Sequence, residues 1–404
     1  MLVLLLLGFS SGLPLALTGG TLQAWLTVEG VNLETIGLFT LVAQPYIYKF
    51  VWAPLMDRYS IPFLGRRRGW LILTQVLLLA TIAWMASISP KDSLWLLSGL
   101  ALAVAFLSAS QDIVFDAYRA DILQEAQERE TGSAVSVFGY RIAMLVSGAL
   151  ALFLAENLLG WHGTYLLMAV LMAIGIVTTW NALEPVSPRA PPRTLDDAVR
   201  QPFVEFFARD GAWMFLLLIV LYKLGDAFAA SLTTTFLLRG LGFSLTDIAL
   251  ANKVFGIAAA GAGALLGGAM MVRLGLYRAL LVFGIFQAVS NFAYVALALA
   301  GKNYAVMISA IAIENICGGM GTTAFVALLI ALCDPRFSAT QFALLSALAA
   351  VGRVYVGPAS AYLVGAYGWA NFFSITFLLA LPGLAMLWWQ RARIEVLDRT
   401  ARAA

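Results

Sequence analysis

Twelve apolar runs succeed one another along this chain, at roughly 2–26, 36–57, 69–89, 93–119, 134–155, 163–183, 213–238, 246–272, 277–299, 303–333, 339–364 and 370–390. A helix needs about twenty apolar residues to cross a bilayer. In lipid every backbone N–H and C=O must find its partner inside the protein, which leaves helices and closed barrels as the only spanning structures. Barrel strands alternate apolar and polar residues over about ten positions. These runs are longer and do not alternate, so they predict an all-α integral membrane protein with twelve transmembrane helices. The composition agrees: 12% of residues are charged and 61% hydrophobic, with a mean hydropathy of +0.88, whereas soluble domains carry about 25% charged residues. The net charge of +3 gives no reason to expect a nucleic-acid partner.

Most connections between the runs are short. The exception is 184–212, rich in proline and charge, which reads as a linker; within it Leu195 to Phe207 is expected to form a short amphipathic helix on the membrane surface. The expected domains are therefore a first six-helix bundle (1–183), the cytoplasmic linker (184–212), a second bundle (213–392) and a cytoplasmic tail (393–404). The chain opens directly in the apolar run Met1–Leu7, without a basic leader or an A-x-A cleavage site, so no signal peptide is read. Cys317 and Cys333 are 16 residues apart on one run. A helix would separate them by about 24 Å, too far for a disulfide, and two cysteines make no metal site.

Basic residues set the orientation. Seventeen of the 25 lysines and arginines fall in one set of connections and the termini, three (Lys91, Arg239, Lys302) in the other, and five inside runs. The positive-inside rule places the larger set in the cytoplasm, and with twelve spans both termini are then cytoplasmic. A shift of 212 residues brings Asn32-Leu33-Glu34-Thr35-Ile36 onto Ser244-Leu245-Thr246-Asp247-Ile248, Thr21 onto Thr233 and Leu26 onto Leu238. Each match leads into a span that ends in a short basic loop. Two parallel six-helix repeats are the pattern of the major facilitator fold. The first of these loops, Asp57, Arg58 and then Gly65, Arg66, Arg67, Arg68, resembles that superfamily's loop signature, with a longer gap between Arg58 and Gly65, and is expected to act as a cytoplasmic hinge or latch.

Charges inside apolar helices are costly and are functional candidates by default. Asp112 and Asp116 are four apart, on one face of the fourth run, with Arg119 close to it. Helical rise puts Asp112 roughly 10 Å inside the cytoplasmic end of its span, with Arg141 of the fifth at a similar depth; Asp112 or Asp116 is expected to pair with Arg141. Lys223 and Asp226, three apart, share a face of the seventh run, and Glu314, Lys49 and Arg353 fall near mid-membrane. The cations Lys49, Arg141, Lys223, Lys253 and Arg353 slightly outnumber the anions Asp112, Asp116, Asp226 and Glu314, which suits a cavity for an anionic solute; Lys253 instead suits snorkelling to the outer surface. The four carboxylates are the candidate proton carriers. Pairs that only neutralise each other and hold helices in register are the plain alternative, above all for Asp116, Arg119 and Arg141.

Gln23, Trp25, Gln44, Tyr48, Gln111, Asn315, Gln341 and Tyr355 lie at plausible depths and, with Lys49, Arg141, Lys223 and Arg353, make the candidate substrate-binding set. Amides, charges and stacked rings fit a carbohydrate, although each taken singly is more often a helix contact. Gly8 with Gly12 and Gly263 with Gly267 read as close-packing GxxxG pairs, whereas Gly318-Gly319-Met320-Gly321 is expected to loosen the tenth helix. His162 reads as a surface residue of a short external loop. Phosphate-binding, HExxH and GxSxG motifs are absent.

Four stretches carry a resemblance: Gly8-Phe9-Ser10-Ser11-Gly12-Leu13-Pro14-Leu15-Ala16-Leu17-Thr18, Gln111-Asp112-Ile113-Val114-Phe115-Asp116-Ala117, Tyr222-Lys223-Leu224-Gly225-Asp226-Ala227-Phe228 and Phe337-Ser338-Ala339-Thr340-Gln341-Phe342-Ala343-Leu344-Leu345-Ser346. The sequence resembles the AmpG-type anhydromuropeptide permeases of the major facilitator superfamily along essentially its whole length. That implies a secondary transporter of the bacterial inner membrane, not an enzyme. The implied cargo is N-acetylglucosaminyl-1,6-anhydro-N-acetylmuramic acid, usually with its stem peptide, imported by the proton motive force for peptidoglycan recycling, a flux that also affects β-lactamase induction. No cofactor is expected beyond the proton gradient, and the partners are the substrate and the bilayer, with the protein a monomer. Family members often continue past the twelfth span, whereas this chain stops at Arg391 to Ala404. Acetyl-coenzyme-A carriers share a similar glutamine–aspartate stretch, so a transporter of another anionic solute or a drug stays open, as does a membrane-embedded saccharide enzyme.

Overall fold

The computed structural model describes residues 1–61, 64–123, 126–185, 206–208, 211–333 and 338–403. Helices dominate, and among the described residues ten helical stretches are long and apolar enough to cross a membrane. Two details reconcile ten with twelve. The last stretch, Leu344–Trp389, is broken at Gly368, whose φ of 77° and ψ of 171° only glycine adopts freely, so it holds two crossings. The second run is not one helix. It is split into Leu33–Leu38, a 3₁₀ turn Phe39–Ala43, Gln44–Tyr48, a second 3₁₀ turn Lys49–Val51 and Ala53–Arg58. Pro45 and Pro54 sit in the first turns of two of these pieces; a proline cannot donate to the turn before it and pushes its predecessor out of helical geometry.

The chain forms two compact units, Met1–Asn32 with Leu41–Arg193 and Leu33–Thr40 with Thr194–Ala404. In the first unit, the first span (Leu2–Val28) packs on the fifth (Val135–Asn157), the sixth (Gly160–Asn181) and the fourth (Leu94–Arg119), and the third (Arg67–Ala86) on the fourth and sixth. In the second unit the eighth span (Leu245–Leu274) packs on the tenth (Tyr304–Ala331), while the ninth (Leu276–Ala300) lies against the tenth and twelfth and the seventh (Ala212–Gly240) against the eleventh and twelfth. The piece Leu33–Leu38 also packs in this unit, where the Thr40 hydroxyl donates to the Val354 carbonyl at 2.9 Å.

Lipid tails are as apolar as leucine, so helices associate in a membrane by close contact rather than by hydrophobic transfer. The GxxxG pairs supply it. A Cβ at Gly8 would overlap the Ser136 carbonyl, and one at Gly12 would meet Tyr140, across the first-to-fifth crossing. Gly263 and Gly267 do the same against Ile316 and Met320 of the tenth span. The glycine cluster of the tenth span does not loosen it: Tyr304–Ala331 is continuous helix, with Gly319 pressed on the Ala260 carbonyl. Exposed Trp84, Trp95, Trp180, Trp213, Trp388 and Trp389 all lie near span ends, where amphipathic rings collect at membrane interfaces.

Most of the linker and of the expected helix Leu195–Phe207 lies outside the described residues. The segment read as a tail is a helix, Arg391–Ala403, whose Ile394 is fully buried in the core of the second unit beside Phe215, Phe283 and Phe325. His162 is exposed as expected, but in the first turn of the sixth span rather than in a loop.

Candidate functional site

Each unit encloses a separate group of charged and polar side chains. In the first unit the group is built where the first span crosses the fourth. Ser11 donates from its hydroxyl to the Asp112 carboxylate, and one residue earlier the Gln111 amide donates to the Ser10 hydroxyl at 3.0 Å. Two adjacent serines on one helix thus meet an adjacent amide and carboxylate on the next. Lys49, from the broken second span, is the cation whose charge acts on Asp112, and the Tyr46 ring lies within electrostatic reach of the same carboxylate.

The expected pairing of Asp112 or Asp116 with Arg141 does not occur. Asp116 is exposed and pairs with Arg119 one turn along its own helix at 3.0 Å. Arg119 also donates to Ser136 at 2.9 Å and lies over the Phe115 ring. Arg141 is exposed on the fifth span, with no ion pair to a described residue. Equal depth on two helices does not decide which faces meet, and Arg119 is within reach along the same helix.

Trp25 is 0% exposed and sits in an aromatic cluster, stacked on Trp161 at 5.8 Å with Tyr165 at 4.8 Å. Gln111 is buried in the unit, and Gln23 and Gln44 are half-buried, whereas Tyr48 is exposed.

The basic loop is tied down within the first unit by partners the sequence did not single out. Gly65 takes a φ of 83°. Beyond it, the backbone N–H groups of Arg67 and Arg68 both donate to the Glu184 carboxylate, at 2.8 and 2.9 Å. This is the usual stabilisation of an anion at a helix N-terminus, here the third span's. The buried Arg67 guanidinium donates to Asp121 at 2.9 Å, and Arg68 reaches the carbonyls of Thr179 and Trp180. The loop therefore clasps the adjoining ends of the third, fourth and sixth spans. The side chains of Asp57 and Arg58 lie outside the described set, as does that of Lys253, and Arg66 is half-buried.

In the second unit the group spans the seventh, ninth and tenth spans. Lys223 and Asp226 form an ion pair at 3.6 Å, with side chains 15% and 28% exposed. The Lys223 ammonium also donates to the Thr322 hydroxyl at 3.3 Å and lies 5.5 Å from the Phe325 ring centre. Glu314 adds a third ionisable group: it accepts from the Asn315 amide at 3.0 Å and lies within electrostatic reach of Tyr294, Asp226 and Lys223. Lys223, Asp226, Glu314 and Asn315 are thus brought together. Arg353 and Tyr355 are exposed on the eleventh span, and Gln341 is buried near its start. Tyr294 was missed because a tyrosine inside an apolar run gives no signal until its partner is known.

The sequence matches the model of the Major Facilitator Superfamily over residues 4–313. It is 56% identical over 393 residues to the anhydromuropeptide permease of Escherichia coli strain K12, covering 97% of this chain and 80% of that protein. It is 36% identical to the putative transporter AmpG 4 of Rickettsia felis, covering 97% and 96%. Among solved structures, a bacterial homologue of the human lysosomal transporter Spinster superposes with a TM-score of 0.75 at 17% identity, covering 98% of this chain and 97% of that one. The D-xylose–proton symporter does so with a TM-score of 0.71 at 15% identity, covering 96% of each chain. At such identities these two likenesses concern the fold.

Proposed function

The chain belongs to the major facilitator superfamily and, within it, to the family of the anhydromuropeptide permeases, and from that membership we propose that it imports anhydromuropeptides from periplasm to cytoplasm, driven by the proton motive force. It is a multi-pass transporter of the bacterial inner membrane. The observation that carries the substrate assignment is the 56% identity to the Escherichia coli permease across 97% of the chain. Both termini face the cytoplasm, as the distribution of arginines supports. The cargo is the N-acetylglucosaminyl-1,6-anhydro-N-acetylmuramic acid disaccharide, usually with its stem peptide, for peptidoglycan recycling and with an effect on β-lactamase induction.

The coupling proton is carried by Asp112 in the first unit or by Asp226 and Glu314 in the second. Lys49 and Lys223 offer positive charge to the stem-peptide carboxylates, and Asn315, Gln44 and Tyr48 offer hydrogen bonds to the sugars. Asp116, Arg119 and Trp25 have structural roles that their contacts explain. The clasp of Arg67 and Arg68 on Asp121 and Glu184 holds the cytoplasmic end of the first unit as one body, which alternating access requires of a moving part.

Labelled anhydromuropeptide, offered to proteoliposomes with and without an inward proton gradient, tests the reading. Uptake accelerated by the gradient is the expected result. Folded protein that takes up none under either condition overturns the assignment.

A further inference from the structure

Behind the ion pair of the second unit, a small pocket lies between the seventh, ninth and twelfth spans, lined by Asp226, Tyr222, Gln287, Asn291, Ala288 and Gly284 among others. Its space suits about one water molecule. Gln287 is only 6% exposed, and its amide nitrogen is buried without a hydrogen-bond partner in the protein. A buried donor left unpaired is costly, so such groups are normally satisfied, by ordered water where the protein offers nothing. Tyr222 spends its own proton on the Leu280 carbonyl at 2.9 Å, which leaves its oxygen free only to accept. The pocket therefore presents an amide donor, a carboxylate and further amide and phenol groups around a water-sized space.

We propose that this pocket is a one-water site, and that its water bridges the Gln287 amide to the Asp226 carboxylate, making Gln287 a positioning residue for the Lys223–Asp226 pair. A neutral occupant is favoured over a metal cation because Lys223, 3.6 Å from Asp226, already balances that carboxylate. A monovalent cation would have to share the charge with an ammonium at close range. The other titratable groups acting around Asp226 are Tyr222 on its own span, Tyr294 on the ninth and Glu314 on the tenth. The titratable groups Arg353, Tyr355, Tyr362 and Tyr367 of the eleventh span are all exposed, and the twelfth lines the pocket with Ala380 and Leu384.

The repeat adds a second observation. The 212-residue shift that aligns the two halves carries Gln75 of the third span onto Gln287 of the ninth. Gln75 is also fully buried and also has an amide nitrogen without a protein partner. Its oxygen, however, accepts from Thr179 at 2.9 Å. The same buried amide thus recurs on the third helix of each half, and in the second unit it shares a pocket with a carboxylate.

The function side of this inference rests on the proton-coupled reading above; the water site does not. The first readout is a structure of the full protein in lipid that shows ordered waters. A peak within hydrogen-bond distance of both Gln287 and Asp226 is expected; its absence, or a cation with sodium-dependent uptake in its place, overturns the site. The second readout is the pH profile of uptake. Gln287→Leu is expected to move the midpoint by about one pH unit toward alkaline, because a carboxylate that loses a hydrogen-bond donor holds its proton more tightly. Gln287→Asn, which keeps the amide and leaves room for a second water, is expected to restore the profile. Should Gln287→Leu fail to fold, Ala288→Val fills the same space with every polar group kept and is expected to give the same shift. An unchanged midpoint in a folded variant overturns the positioning role. Wild-type uptake indifferent to the proton gradient overturns the transport reading and the positioning role together, and leaves the water peak to decide the site.

Discussion

In the first unit a neutral hydroxyl, Ser11, reaches the inner carboxylate Asp112 from another helix, with Lys49 acting on it from a distance, whereas in the second unit the cation Lys223 pairs with Asp226 along one helix. Under the repeat shift Ser11 falls on Lys223, and both reach across from the first helix of their half to the fourth: Ser11 to Asp112, Lys223 to Thr322. One helix crossing has thus been kept with the polarity of its contact exchanged, the acid moving from the fourth helix in one half to the first in the other. The comparison teaches that the repeat conserves where helices touch, while the charge at the contact is free to differ.

The largest expected effect comes from removing the acids. Asp226→Asn and Asp112→Asn are each expected to reduce proton-driven uptake to the background of protein-free vesicles at unchanged membrane levels. If only one does so, coupling lies in that unit alone; if neither does, both proposed roles fail. Next is the frame that the two crossings depend on. Gly8→Leu and Gly263→Leu push a side chain into a neighbouring backbone, and overpacking of this kind costs about 1–3 kcal/mol or more. Both are expected to lower the melting temperature, whereas Gly99→Leu, with open space around it, is expected to leave it unchanged.

The two contacts themselves come third. Lys223→Ala leaves Asp226 unpaired and is expected to cost about 2–3 kcal/mol, below the value for a fully buried pair because that carboxylate is 28% exposed. The double variant Lys223→Met/Asp226→Leu is expected to recover the stability and not the transport. Ser11→Ala is expected to cost about 1–2 kcal/mol, since it removes a single neutral donor. Chemical denaturation of the four proteins checks the order, and Ser11→Ala costing more than Lys223→Ala would break the comparison. Smallest is the exposed pair Asp116–Arg119, where Arg119→Ala is expected to change stability by less than about 1 kcal/mol and uptake hardly at all.

The hydropathy of the chain was enough to read the all-helical membrane fold and the number of crossings, because the bilayer forces each apolar run to satisfy its own backbone. The same reasoning singled out Asp112, Lys223, Asp226 and Glu314, since ionisable residues stand out against so apolar a background. It also caught the pair Lys223–Asp226, whose members lie one turn apart on one helix. It failed where it paired residues of different helices: Arg141 was assigned to the aspartates by depth alone, whereas Asp116 pairs with Arg119 on its own helix. Prolines 45 and 54 were visible, yet the 3₁₀ breaks around them emerged only in the structure.

The sequence by itself determined what each segment must be in a membrane, because that follows from local composition and from the periodicity of one helix. Only the tertiary structure decided which segments share a face: Ser11 with Asp112, Tyr294 with Glu314, Arg67 with Asp121, Gln287 with the pocket at Asp226. Those meetings depend on helix rotation and crossing, which are set by where glycines let two backbones approach, and no spacing along a single helix encodes them.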